Sequence, residues 1–499
     1  MKHPITSPIL SLTLIALLAG CAVTTKDFQP PVLAPDAWSK PSTSTPLTDQ
    51  LSDPLPDQWW SALADPDLDA LVEAAINNNF DLRTTWDRLA QAQAIARREG
   101  AALEPSLNLN AGAGRTRSRT TTATTANSST RTDLDLGLGL SYELDLWGRL
   151  RNTRDAAALD ALAAQDDVSS SAIILSADLA TRWYEYSEQI ERIAVLKEQN
   201  KRNQDVYDII NTQFRAGQTR AEDVLRQRNL VEANLGQLAI ADRRAQTLRL
   251  QLLVLIGATP DQPLPIETPA LIDLPALPDL GVPATLLQQR PDVRQAYRAV
   301  QAADQRAAAA IADRYPSISL TASASTSANR TADLFDNWLA NLAANLTAPI
   351  LDGGRRSAEI ERAQAVTSQA INTYAQTILV ALQEVETALA QEAQQRQYLQ
   401  SLERQYETAD LVVERIRDSY ISGQTEYINV LSAQTTKQTL ELQLLEAKRT
   451  LITDRIALSR ALAGGWSMTP PEQARLQPIE ESQPTIMSTD ADQGPHHDQ

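Results

Sequence analysis

Residues 149–216 and 355–422 are two runs of 68 residues without a single glycine or proline. A stretch free of breakers leaves nothing to interrupt one continuous helix. At 1.5 Å rise per residue, each run would extend roughly 100 Å, longer than an ordinary globular domain. Their surroundings match as well. Each follows a Gly-Arg step (Gly148-Arg149, Gly354-Arg355) and each stops before a glycine, Gly217 or Gly423, at a constant offset of 206. Leu399, Leu402, Tyr406, Ala409, Val413, Ile416 and Tyr420 keep the three-four spacing of a coiled-coil seam. Leu175, Leu179, Trp183, Tyr186, Ile190 and Ile193 nearly do the same.

The repetition extends beyond these runs. "FRAGQTRAEDVL" (214–225) matches "YISGQTEYINVL" (420–431) at the same offset. "NFDLR" (79–83) pairs with "RPDVR" (290–294), and "EPSLNL" (104–109) with "YPSISL" (315–320), at an offset of 211. The chain is a tandem duplication whose first strand pair is the longer. Each half predicts a helix (67–98; 292–314), a strand pair (105–147; 316–350) with a polar tip (120–132; 328–333), the long helix, a glycine turn and a return helix (218–256; 424–463).

The strand pairs carry a strict period of two. Leu134, Leu136, Leu138, Leu140, Tyr142 and Leu144 alternate with Asp133, Asp135, Gly137, Gly139, Ser141 and Glu143. Trp338, Ala340, Leu342, Ala344, Leu346 and Ala348 share one face in the second half. Such alternation builds one apolar and one polar face. In a soluble sheet the apolar face covers a core, but the flanking sequence offers only long helices. Lipid outside and a water-filled lumen inside satisfy both faces, and strands of roughly 9 to 14 residues suffice for a tilted crossing. Four strands do not close a barrel, because single-chain barrels start at about eight. Open edges in lipid leave backbone groups unpaired. A spanning sheet therefore requires several chains.

Composition narrows the chemistry. Histidine occurs only at His3, His496 and His497, and cysteine only at Cys21. The body of the chain thus has no histidine- or cysteine-based nucleophile or metal site, and no carboxylate cluster stands out, so no enzyme is expected. The balance of 62 acidic to 45 basic residues, a formal charge of −17, argues against nucleic acid or anionic lipid headgroups as the main partner and predicts a cation-favouring lumen. Residues 1–20 join Lys2, an apolar run over 9–18 and the small pair Ala19-Gly20, as in a secretory signal. "LLAGC" (17–21) resembles the bacterial lipobox, which would make Cys21 the lipid-bearing first residue of the mature chain. Ala22 in place of an aspartate then implies the outer membrane. An ordinary signal with a chance cysteine is the alternative.

Further marks are "WWSALADPDLDALVEAAINNNFDL" (59–82), "RPDVRQAYRAVQAAD" (290–304), "LDGGRRSAEIERA" (351–363) and the two Gly-Gln-Thr…Val-Leu turns. Together these features resemble the TolC-like outer membrane factors, specifically the lipidated branch of tripartite multidrug efflux. The resemblance implies a mainly α fold with a membrane β-barrel. Three chains of a homotrimer would give four strands each to a twelve-stranded barrel, continuous with an α-helical coiled-coil tunnel in the periplasm. It divides the chain into a signal peptide (1–20), a lipidated extended segment (21–64), repeat 1 (65–264), a linker (265–284) near the tunnel's middle, repeat 2 (285–469) and a disordered tail (470–499).

The implied function is a passive exit duct gated at its periplasmic tip. Its implied partners are a periplasmic adaptor protein, an inner-membrane RND-type transporter and outer membrane lipid, with no nucleic acid and no cofactor beyond the covalent lipid on Cys21. By the same resemblance, Gly217, Gln218, Thr219, Gly423, Gln424 and Thr425 form adaptor-contacting tip turns. Glu222, Asp223 and Tyr420 fall where gate residues sit. The gate pattern is partial: Thr425 stands in place of an arginine, and Asn429 and Ser432 in place of aspartates. Asp223 also reads as a solvated carboxylate favoured by the helix macrodipole. Gly217 and Gly423 supply the left-handed backbone that such turns need. Two other readings stay open: the same fold carrying secreted polypeptides or metal cations, and a non-conducting lipid-anchored scaffold. The only methionines are Met1, Met468 and Met487, which counts against a soft-metal site.

Overall fold

The computed structural model describes residues 58–121, 126–266, 269–277 and 288–463. The expected signal, Cys21 and the tail lie outside them. The first half contains α1 (Pro66–Asn78), α2 (Phe80–Ala101), β1 (Ser106–Thr121), β2 (Ala126–Leu144), α3 (Arg149–Arg215) and α4 (Ala221–Leu255). The second contains α5 (Pro291–Ala312), β3 (Ser317–Ala328), β4 (Trp338–Thr347), α6 (Arg355–Ile421) and α7 (Tyr427–Leu462). Both breaker-free runs form single helices of 67 residues. Their N-termini are tied down by carboxylates: Asp145 accepts from the Leu150 and Arg151 N–H groups, and Asp352 from Gly354 and Arg356.

Two expectations are corrected. The helix read over 67–98 is two helices, α1 and α2, broken at Asn79. Asn79 takes an extended backbone (φ −63°, ψ 126°), its N–H closes α1 on Ala75, and its Oδ1 accepts from the Leu82 N–H at 2.9 Å to start α2. A single asparagine thus ends one helix and caps the next. The strands also exceed the expected 9 to 14 residues: β1 has 16 and β2 has 19. Much of the expected polar tip at 120–132 is strand. Its Ser and Thr residues pair across the ladder, as Ser118 and Ser129 do at 2.8 Å, and β-branched threonine suits a pleated ribbon.

The four strands form one antiparallel sheet in the order β1-β2-β3-β4, so β2–β3 pairing joins the two repeats. The helices repeat the internal symmetry in three dimensions. Arg290, equivalent to Asn79, has nearly the same backbone (φ −62°, ψ 126°). Asn79 Nδ2 donates to the Leu255 carbonyl and Arg290 Nη1 to the Ala461 carbonyl, both at 3.0 Å. Those two carbonyls close the return helices at equivalent positions, so side chains of different chemistry fill one structural role.

The largest core lies midway along the helices. Trp59, Trp60, Leu68, Leu71 and Val72 pack against Leu179, Trp183, Tyr184, Leu252 and Ile456. The predicted linker is part of this core: Ile266, Leu271, Ile272 and Leu274 cover it, beside Leu264 at the end of repeat 1. Two buried groups hold the assembly in register. Asp65 caps α1 through the Asp67 and Leu68 N–H groups and accepts from Trp183 Nε1 (2.7 Å) and the Tyr184 hydroxyl (3.0 Å). Arg455 forms a bidentate pair with Glu392 and donates to the Pro275 and Ala276 carbonyls of the linker. Away from this core the seams pack as the spacing predicts, Leu402 of α6 against Leu440 and Ala447, Ile193 of α3 against Ala241 and Ala245.

Candidate functional site

The molecule has two functional ends, a sheet whose apolar face has no core beneath it and a pair of helical turns. In the sheet, register aligns the apolar positions across all four strands. Leu109 faces Leu138, Leu138 faces Ala324 and Ala324 faces Ala340, while Leu107, Leu140, Ala322 and Leu342 form a parallel row. These side chains are open to the surroundings: Leu107 is 65% exposed and Leu342 81%. The opposite face is mostly Ser, Thr, Asn and Gly with Asp133, Asp135, Glu143 and Arg131, interrupted by Leu339 and Ala343 of β4. Aromatic residues mark both margins of the apolar band, Phe335 and Trp338 at one, Tyr142 and the stacked Trp147–Tyr315 pair (4.9 Å) at the other. From Leu134 to Leu144 the band rises roughly 25 Å at a ~40° tilt, matching the lipid-facing belt of a membrane barrel. The outer edges of β1 and β4 have no partner strand within the described chain. They run antiparallel to each other, so β1 of one copy is geometrically suited to β4 of the next.

At the other end, the α3–α4 and α6–α7 turns are built alike. Gly217 (φ 72°) and Gly423 (φ 74°) take the left-handed conformation. The Gly217 N–H bonds to the Phe214 carbonyl and the Gln218 N–H to Gln213; Gly423 and Gln424 do the same to Tyr420 and Ser419. This is the Schellman closure of a helix C-terminus. Past each glycine the equivalent threonine meets the fourth residue along, Thr219 Oγ1 donating to Asp223 (3.1 Å) and Asn429 Nδ2 donating to Thr425 (2.8 Å). Asn429 thus keeps the local turn geometry without the charge.

The two turns are also joined to each other. Arg220 Nη2 donates to Glu426 Oε1 at 3.0 Å, while its Nη1 holds Glu222 at 2.9 Å. Deeper in, the buried Tyr427 hydroxyl donates to Gln227 Oε1 (2.7 Å), and Gln227 Nε2 to the Asn203 carbonyl (2.7 Å). Asn203 Oδ1 in turn accepts from Gln434 and Gln438 of α7. The Tyr420 ring lies edge-on to Tyr427 with centroids 5.7 Å apart. Burial pushes the Tyr427 hydroxyl's pKa up, helped by the negative charge of Tyr420 and Asp223 on ionisation. The Arg220 guanidinium is held charged by its hydrogen bond to Glu426.

The structure therefore sets Tyr420 against Tyr427, ties Asp223 to Thr219 and places Glu222 apart, on Arg220. Gly217, Gln218, Gly423 and Gln424 form the two turns, with Thr219 and Thr425 bracing the helices that follow. Arg220, Glu426, Tyr427, Gln227 and Asn203 were not singled out from sequence. One signal was available: Arg220 and Glu426 are equivalent positions of the duplication, oppositely charged where "TR" faces "TE". In a two-fold-like repeat, equivalent positions that lie near the axis approach one another, as Arg220 and Glu426 do.

The family model for outer membrane efflux proteins matches residues 71–258 and 282–464. The chain belongs to the outer membrane efflux protein family. The pyoverdine export outer membrane protein OpmQ of Pseudomonas putida is 30% identical over 480 residues, 93% of this chain and 97% of that one. The probable outer membrane lipoprotein SilC of Salmonella typhimurium is 27% identical over 92% of this chain and 98% of its own length. The open-state Neisseria gonorrhoeae MtrE outer membrane channel shares the fold, with a TM-score of 0.78 at 24% identity, covering 89% of this chain and 98% of that chain. This efflux protein is an outer membrane exit duct, and its four-stranded sheet is the part that meets lipid.

Proposed function

We propose that three copies of the chain close a twelve-stranded barrel, β1 of each pairing with β4 of the next, and that small molecules leave through it passively. The turns at 217–219 and 423–425 receive a periplasmic adaptor that couples the duct to an inner-membrane RND-type transporter. The same turns hold the gate, and Cys21 carries the lipid that anchors the mature N-terminus. The name of SilC as a lipoprotein and the open state of MtrE are consistent with anchor and gate.

The observation that carries the gate is the pair of links between the α3–α4 and α6–α7 hairpins, Arg220–Glu426 at the surface and Tyr427–Gln227 beneath it. Moving one hairpin away from the other breaks both. Tyr420 supports the inner link by packing on Tyr427, and Asp223 braces the start of α4 through Thr219. Opening then needs no covalent chemistry, only an adaptor whose binding outweighs these contacts.

Single-channel conductance in planar bilayers tests the reading with wild type, Asp223→Ala/Tyr420→Phe and Arg220→Glu. Small wild-type currents that grow in both variants are expected. Equal currents in all three would leave the duct and remove the gate from the turns. Silence from all three, in protein shown to be inserted, would overturn conduction itself.

A further inference from the structure

The β1–β2 hairpin does not end where the apolar band ends. Leu134 pairs with Ala328, the last residue of β3, and with Ala113 of β1. Beyond that level the hairpin projects past its neighbour, and the face that carried Leu107, Leu109, Ala111 and Ala113 continues as Arg115, Arg117 and Arg119. All three arginines are exposed. Their cross-strand partners on that face are Thr132, Thr130 and Ser128, so the ladder offers them hydroxyls and no carboxylate. The acidic residues of this hairpin lie on the opposite face, where Asp133 is already engaged by Arg131. In a chain with net charge −17, a row of three cations on the lipid side of the wall is a local inversion of sign.

The depth of the row limits what it can meet. Same-face neighbours are about 7 Å apart along a strand. At a ~40° tilt, Arg115 stands roughly 5 Å above the level of Leu134, Arg117 about 10 Å and Arg119 about 16 Å. An ordinary phospholipid headgroup layer is only about 5–7 Å thick on each side, so even with a guanidinium reaching about 6 Å down from its backbone it meets Arg115 and Arg117 and falls short of Arg119. A lipid whose phosphates are carried on a deep saccharide headgroup spans the whole row. Guanidinium groups suit such a ligand, because they bind phosphate oxygens in pairs and keep their charge at any physiological pH.

We propose that Arg115, Arg117 and Arg119 form a phosphate-binding ladder for a phosphorylated glycolipid of the outer leaflet, fixing the height of the barrel in that leaflet. Backbone pairing of β1 with a neighbouring β4 leaves this row free, since side chains leave the strand perpendicular to its hydrogen bonds.

The test measures binding of purified lipopolysaccharide, its enzymatically dephosphorylated form, phosphatidylglycerol and inorganic phosphate to the detergent-solubilised full chain by native mass spectrometry and microscale thermophoresis. Wild type should hold the phosphorylated glycolipid on the order of 100-fold more tightly than an Arg115→Gln/Arg117→Gln/Arg119→Gln variant, at about fivefold per arginine near a surface. Dephosphorylation should cost wild type a similar factor, a comparison that needs no variant to fold. Arg131→Gln, on the opposite face, should bind like wild type. Equal binding of the dephosphorylated lipid would overturn the proposal. So would phosphatidylglycerol or inorganic phosphate binding as tightly as the glycolipid, or a folded triple variant that loses nothing.

Discussion

Removing the carboxylate of Asp65 should release the N-terminal strap from the tunnel wall. Asp65 is 7% exposed and accepts four hydrogen bonds, two from the first turn of α1 and two from Trp183 and Tyr184 of α3. In Asp65→Ala the lost N-cap costs about 1 kcal/mol. The indole N–H and phenol O–H, 1% and 0% exposed as residues, lose their acceptor at roughly 1–3 kcal/mol each. The sum is about 3–7 kcal/mol, concentrated on opening of the Trp59–Leu63 turn and α1. Because assembled membrane proteins seldom unfold reversibly, local opening is the quantity to read. Hydrogen–deuterium exchange of α1 amides should accelerate about 10²- to 10⁵-fold, while amides of the α3–α4 turn stay at wild-type rates. Asp65→Asn keeps the cap oxygen but aims an amide at a Trp183 N–H that can only donate, so it should fall between. An increase below tenfold in Asp65→Ala would refute the claim that this carboxylate fastens the strap. An equal increase at the tip would refute its locality.

Tyr427→Phe deletes the donor to a buried amide oxygen of Gln227 at about 1–3 kcal/mol, so open-channel events should become more frequent in bilayers. Tyr398→Phe, on an exposed stretch of α6, should leave them unchanged. Asp454 has its pKa raised to about 6, chiefly by burial and then by Glu392, with Arg449 opposing. The folded chain therefore prefers the protonated acid. That preference is fully present below the ordinary aspartate pKa of about 4 and is lost as pH rises through 6, so Asp454→Asn should match wild type in thermal scans at pH 4 and exceed it at pH 8. A two-unit shift would be worth about 3 kcal/mol, cut to roughly 1 kcal/mol by water at a half-exposed site. Gly423→Ala meets nothing within 4 Å and should cost about 1–2 kcal/mol through its left-handed backbone alone. Gly236→Ala, also in open space but mid-helix in α4, should gain up to about 1 kcal/mol; thermal scans that give both the same sign would contradict this.

Local pattern determined much of this molecule. The 67-residue helices, the glycine turns and the lipid-facing alternation of β1–β4 are written within a few residues of each position, because helix and strand periods repeat on that scale, and the duplication shows as those short patterns recurring 206 or 211 residues apart. Membership in the efflux family was likewise legible from short motifs. Tertiary structure decided the rest. Asn79 as a break, Asp65 as a hub and the linker as core depend on partners more than a hundred residues away, such as Trp183, Leu255 and Arg455. The pair of helical turns shows the division clearly. Gly217 and Asp223 could be read from the turn motif, whereas Arg220–Glu426 and Tyr427–Gln227 exist only because folding lays one repeat beside the other. Pairing across 206 residues leaves no periodic trace in either segment, since each partner alone is an ordinary polar residue of an ordinary helix start.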